Sequence, residues 1–231
     1  MKLFFKKFFY RLGIPTYFLR DALVECRMVM IRIYGFFLQR VKLNKIKKQN
    51  HIKLNFGCGE TYYTDWVNVD SFFSKHVDLV LDLRRPLPFS NETIEYCYSE
   101  HFLEHLYPDE GLKHLEEVWR VLKPGGVYRI VVPAGIRFVE KYLANDAVFF
   151  KLAFPWEERP MDAIYHILNW GGEHKNIFDY AHLEYLGKKV GFSHIRESDV
   201  NRSAIPVLNI DKAIPQRVAE SLYVELTKAK V

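Results

Sequence analysis

At 231 residues, 49% apolar and 16% aromatic, the chain has the material for a full α/β core, one domain plus an appendage. Its net charge of +5 divides into +10 over residues 1–50, where twelve Lys or Arg face only Asp21 and Glu25, and −5 over the rest, so the first fifty residues are read separately. Cys26, Cys58 and Cys97 show neither disulfide nor metal spacing, and the longest uncharged runs fall far short of the roughly 20 residues that cross a bilayer, which excludes a disulfide scaffold and a spanning helix.

The N-terminus has lysines and aromatics but no apolar core or cleavage site of a signal peptide, and a reducing, cytoplasmic setting is the expectation. Residues 1–50 read as two helical pieces parted near Gly13-Ile14-Pro15. The first interleaves Phe4, Phe5, Phe8 and Phe9 with Lys2, Lys6, Lys7 and Arg11; the second runs from about Thr16 to Lys48 with Leu19, Leu23, Met30, Ile33 and Phe37 near helical spacing. Such a basic amphipathic arm suits an anionic membrane surface, on the inner face of which the protein would be peripheral. Packing on its own domain or on a second subunit is the alternative. Nucleic acid is disfavoured, because the arm's aromatic density is more lipid-like than phosphate-tracking.

From Ile52 the pattern changes to strands alternating with helices, the mark of a mostly parallel sheet with covering helices. Ile52 to Phe56 alternates as a short strand and stops at Gly57-Cys58-Gly59, a corner where backbone must take positive φ or approach a ligand. Thr61 to Trp66 is too short for a crossover helix, and strand Val67 to Asp70 ends in a carboxylate. Strand three is expected over Val77 to Leu83, strand four over Ile94 to Ser99, a helix over Asp109 to Leu122, and strand five over Val127 to Val132 after the turn Lys123-Pro124-Gly125-Gly126. Arg137 to Ala153, Met161 to Trp170 and Asp179 to Val190 read as helices, the last closed by Gly191, and Phe192 to Glu197 and Ser221 to Leu226 as strands. The ligand-type residues lie at the carboxyl ends of strands, where open α/β sheets bind their ligands.

Five blocks in order, Leu54-Asn55-Phe56-Gly57-Cys58-Gly59, Trp66-Val67-Asn68-Val69-Asp70, Asp82-Leu83-Arg84-Arg85-Pro86-Leu87-Pro88-Phe89, His101-Phe102-Leu103-Glu104-His105 and Val121-Leu122-Lys123-Pro124-Gly125-Gly126, resemble the class I S-adenosylmethionine-dependent methyltransferases. The resemblance implies a Rossmann-like seven-stranded sheet whose last two strands form an antiparallel edge, spanning residues 51–231, with S-adenosyl-L-methionine as cofactor. It implies that Asn55, Gly57, Cys58 and Gly59 carry the loop against the methionine moiety with N–H groups open to its carboxylate, and that Asp70 takes the ribose hydroxyls. Asp82 and Leu83 would lie by the adenine, and Ser99, Glu100 and His101 would line the floor near the methyl. A third loop glycine is replaced by Glu60 or Thr61, so Glu60 or Asp65 would help bind the ammonium.

Each residue has a plainer alternative. Asp70 would also suit a strand-end turn, Asp82 an ion pair within Asp-Leu-Arg-Arg, and Cys58 is a small residue with no base beside it. His101 has the pKa and the position of a general base for a hydroxyl acceptor, or else hydrogen-bonds its loop. Glu104 and His105 read as capping residues, and no metal is expected. The segment of about 134–178, with Trp156, His166, Trp170, Glu173 and His174, is the expected acceptor lid, and His174 is the second candidate base. The expected reaction is O-methylation of a glycan, a lipid-linked saccharide or another small acceptor at a membrane surface. An RNA methyltransferase gripping phosphates with the arm, or an inactive cofactor-binding partner protein, are the alternatives.

Overall fold

The computed structural model describes residues 16–230 together with Phe9, Arg11 and Gly13; the expected first helical piece lies otherwise outside them. Helix α1 (Thr16–Phe37) and helix α2 (Arg40–Ile46) precede the strands β1 (Ile52–Phe56), β2 (Val67–Asp70), β3 (Leu79–Val80) and β4 (Ile94–Glu100). Helix α3 (Pro108–Val121) leads into β5 (Leu122–Pro133). Three helices follow, α4 (Gly135–Leu143), α5 (Ala147–Ala153) and α6 (Pro160–Asn169), then α7 (Tyr180–Val190), β6 (His194–Ser198), α8 (Pro215–Glu220) and β7 (Ser221–Thr227).

The seven strands form one sheet in the order β3-β2-β1-β4-β5-β7-β6. The first five run parallel, and β7 is antiparallel to both β5 and β6. The sheet is a near-continuous apolar layer because both its faces are covered: Leu54, Phe56, Val69, Ile94, Ile130 and Val224 are fully buried. Strand order reverses at β1, flanked by β2 and β4, so the crevice above their carboxyl ends is the place for a ligand.

Several boundaries differ from those expected, each for a physical reason. The long arm helix is broken at Leu38-Gln39, because Gln39 turns inward to the sheet edge: its amide Nε2 donates to the Val80 carbonyl at 2.7 Å and its Oε1 accepts the Val80 N–H at 2.8 Å. A side chain thus pairs with β3 as another strand would, and the strand is two residues long instead of seven. Strand β5 begins at Leu122, and residues 123–126 bulge from it as its pairing jumps from Ile94↔Leu122 to Tyr96↔Val127. The single helix expected over 137–153 is split at Asn145, which takes φ +54, and Asp146 caps the second half by accepting the Phe149 N–H. Helices α4 to α6 build a separate aromatic core from Phe138, Phe149, Phe150 and Phe154.

Candidate functional site

The turn after β1 is built by two glycines with positive φ, Gly57 at +63 and Gly59 at +57. They serve different needs. A Cβ on Gly57 would stand 2.6 Å from the Cβ of Phe102, so this glycine lets the β1 turn pack against the loop after β4. A Cβ on Gly59 would meet nothing within 4 Å, so its backbone faces open space. Beside it, Asp70 Oδ2 accepts the Gly59 N–H at 2.8 Å and Oδ1 accepts the Ser71 N–H at 2.6 Å. Burial pushes this carboxyl above its ordinary value, against the pull of the two N–H groups.

The loop amides expected to be open are therefore partly committed. Gly59 N–H belongs to Asp70, and Cys58 N–H to the Val69 carbonyl at 3.2 Å. Asn55 is buried and donates to Asn68 Oδ1 at 3.1 Å, tying β1 to β2 beneath the turn. Burial pushes the Cys58 thiol to about 12, which excludes a thiolate nucleophile at neutral pH. Glu60 points outward to His76, 3.5 Å away.

At the end of β3 the ion-pair alternative for Asp82 is the one seen. Its Oδ2 accepts Arg32 Nε of α1 and its Oδ1 accepts Arg84 Nε, both at 2.9 Å, and Arg84 also holds Glu25. Burial would raise the Asp82 carboxyl, but the guanidinium bonds outweigh it and hold it low. The Leu83 side chain is buried, and its carbonyl lies 3.2 Å from His114 Nδ1.

Residues at the end of β4 divide between core and crevice. Ser99 is fully buried against the Tyr128 hydroxyl at 2.8 Å, below the floor it was expected to line. Glu100 Oε2 accepts the Tyr98 hydroxyl at 3.0 Å. His101 takes φ +51 with both ring nitrogens engaged: Nδ1 with Arg217 Nη1 at 2.6 Å and Nε2 with Ser221 Oγ at 2.8 Å. A guanidinium only donates, so the Nδ1 lone pair is spent on Arg217 and the proton sits on Nε2. Burial drives the ring's pKa well below its ordinary value. His101 is thus a neutral side chain whose two ring nitrogens are held by Arg217 and Ser221, far along the chain, and not by its own loop.

One turn on, a different environment begins. Glu104 is completely buried in the short helical turn Leu103–His105, and among the described residues neither carboxylate oxygen has a hydrogen-bond partner. It caps nothing, contrary to expectation, and burial pushes its pKa up to about 8. The backbone carbonyl of Glu104 accepts the N–H groups of Lys175 and Asn176 at 2.8 and 3.1 Å, which brings His174 against His105, ring centroids 4.9 Å apart. Trp170 stacks on His174, 11° from parallel. Burial pushes the His174 ring down to about 4.

Helix α1 runs over this ground. Arg20 donates to the carbonyls of Gly171 and Gly172, the Arg27 charge bears on Asp70, and Arg32 holds Asp82. Ser221, to which sequence reasoning gave no site role, owes its place beside His101 to a contact 120 residues away in the chain. Arg217 is turned to His101 and Glu220.

Residues 71–130 match the family described as methyltransferase domain. No curated protein sequence matches the chain. Similar solved structures include a putative methyltransferase of Haloferax volcanii in complex with the Trm112 methyltransferase activator, 12% identical over 90% of this chain and 97% of that one, TM-score 0.47. The CMeT domain of the citrinin polyketide synthase is 12% identical over 92% of this chain and 57% of that one, TM-score 0.48. A SAM-dependent methyltransferase from Archaeoglobus fulgidus is 14% identical over 93% of this chain and all of that one, TM-score 0.46.

Proposed function

We propose that this chain, which carries a class I S-adenosylmethionine-dependent methyltransferase domain, methylates an oxygen of a small or glycan-type acceptor, lipid-linked in the simplest case, at the surface of a membrane. The observation that carries the cofactor part is the pair of positive-φ glycines facing Asp70 at the point where strand order reverses. The residues fit the cofactor. Gly59 presents bare backbone to open space, and each Asp70 oxygen spends one lone pair on an N–H and keeps another for a ribose hydroxyl. When bound, the cofactor supplies an electrophilic methyl group on sulfur, attacked in line by the acceptor oxygen. The chain's own work is to hold the ribose through Asp70, to exclude water with α4 to α6, and to take up the acceptor's proton. The last task falls to Nε2 of His105 or His174, whose Nδ1 atoms face backbone carbonyls, because His101 is bound to Arg217 and Ser221.

The membrane part rests on α1. Its outer side exposes Phe18, Leu23, Met30, Ile33 and Phe37 by 56–71%, on the segment that carries +10. No helix among the described residues is long and apolar enough to cross a membrane. Asp70→Ala is expected to weaken binding of the cofactor product at least tenfold by calorimetry, and unchanged affinity would remove the ribose assignment. Leu23→Glu combined with Ile33→Glu leaves the buried Met28 and Ile31 in place, so it is expected to abolish sedimentation with anionic liposomes while cofactor affinity is kept. Sedimentation equal to that of the unaltered protein would end the membrane reading.

A further inference from the structure

We propose that Glu104, His105 and His174 form a binding site for one divalent first-row transition-metal ion, of the zinc, cobalt or iron type. One ligand atom from each residue lies within 4.8 Å of the other two. Ligands at about 2.0–2.2 Å from an ion stand roughly 3–4 Å apart, so small side-chain rotations close these three on a metal. Two imidazoles and one carboxylate suit such ions better than magnesium or calcium, which prefer oxygen throughout.

Three independent features prepare the site. First, the tautomers are set. His105 Nδ1 lies 3.3 Å from the Glu173 carbonyl, and His174 Nδ1 bonds the Ile167 carbonyl. A carbonyl only accepts, so in each ring Nδ1 carries the hydrogen and Nε2 offers the lone pair. That is how a metal-binding imidazole is held, its second nitrogen donating to the protein. Second, Glu104 is buried with both oxygens unpartnered, a state costly for a carboxylate unless a cation meets it. Among the described residues its one ion-pair neighbour is His101 Nδ1, 3.5 Å away, and that nitrogen is already given to Arg217. Third, the two halves are clamped together. The N–H bonds from Lys175 and Asn176 to the Glu104 carbonyl fix the lid segment on the turn after β4, and Trp170 covers the outer face of the His174 ring.

Three protein ligands leave a tetrahedral ion at least one position for a water or substrate oxygen. The charges of His105 and Asp70 are near enough to act on each other. An ion there would lower the pKa of an acceptor hydroxyl, the task for which His101 has no free lone pair. The proposal departs from the expectation from sequence that no metal takes part.

Full-length protein, stripped with a chelator and free of cofactor, is titrated with Co²⁺ and read by visible absorption, with displacement by Zn²⁺ as the second readout. The expected result is a band that saturates at one equivalent and is lost on adding zinc. Glu104→Gln, His105→Ala and His174→Ala, each checked for folding by circular dichroism, are expected to weaken Co²⁺ binding at least tenfold, whereas His194→Ala at the exposed start of β6 leaves it unchanged. Glu104→Gln keeps size and shape, so it tests the carboxylate even where a histidine variant fails to fold. No saturable band, or a band kept at full affinity by any folded variant of the three, overturns the proposal. Because no cofactor or acceptor is present, the result does not depend on the methyl-transfer reading.

Discussion

Two sets of carboxylates are buried on neighbouring parts of the same sheet, with opposite fates. On β5, Arg129 is fully buried and bonds Asp211 Oδ1 at 2.9 Å and Glu225 Oε1 at 3.0 Å, while Arg196 takes the other oxygen of Glu225 at 2.8 Å. Arg129 and Arg196 both stand opposite Glu225 in strand register, so the charges form a ladder across β5, β7 and β6, with Asp211 closing it from the connecting loop. Glu104, just past β4, is as deeply buried, and neither of its carboxylate oxygens has a hydrogen-bond partner among the described residues. In the ladder every charge is met, and its carboxylates serve as cross-links. In the turn the charge is unmet, and burial holds the proton on up to about pH 8. The difference teaches that depth alone does not mark a site; the lack of a partner does.

The largest effect should come from breaking the ladder. Arg129→Met fills the space but leaves Asp211 without a cation and Glu225 with Arg196 alone. By the usual cost of an uncompensated buried charge, the loss is expected to be roughly 3–5 kcal/mol by urea unfolding. Adding Asp211→Asn and Glu225→Gln to Arg129→Met should recover most of it, because no charge is then stranded. A loss below about 1 kcal/mol for the single variant would mean that the ladder is hydrated, and the contrast with Glu104 would fail.

What the sequence makes legible follows from how near the deciding partner is. The turn at Gly57 and Gly59, the acid closing β2 and the glycine ending α7 are local: strand alternation, positive φ and a C-terminal cap all act within a few residues. The mostly parallel core follows from the same local periodicities, whereas the antiparallel edge is what the family resemblance implies. The length of β3 does not, because Gln39 decides it from 41 residues upstream. For Asp82 the local pair with Arg84 is legible, but not the Arg32 that takes its other oxygen from the arm, 50 residues away. His101 loses its freedom to Arg217, 116 residues on, and the Glu104 environment is made by a lid segment some 70 residues later. The strand ends can be read from sequence; who fills each carboxylate and imidazole depends on long-range packing.

A smaller effect tests the unpaired half of the contrast, through pH. In chelator, the folded Glu104 carboxyl keeps its proton up to about pH 8, whereas the unfolded one releases it near the ordinary carboxyl value of 4.5. The folded state therefore binds more protons than the unfolded state between these values, and stability from this group is full below 4.5 and is lost as pH rises towards 8. Between pH 6 and pH 7.5 the unaltered protein should lose roughly 2 kcal/mol relative to Glu104→Gln, which has nothing to ionise. Urea unfolding of both proteins at the two pH values measures the difference. Parallel pH slopes would show that Glu104 titrates as an ordinary, solvated carboxyl. If instead the slopes diverge in chelator and converge when Zn²⁺ is restored, the cation that the buried acid lacks is a metal ion, since a bound cation stabilises the ionised form and removes the penalty of rising pH.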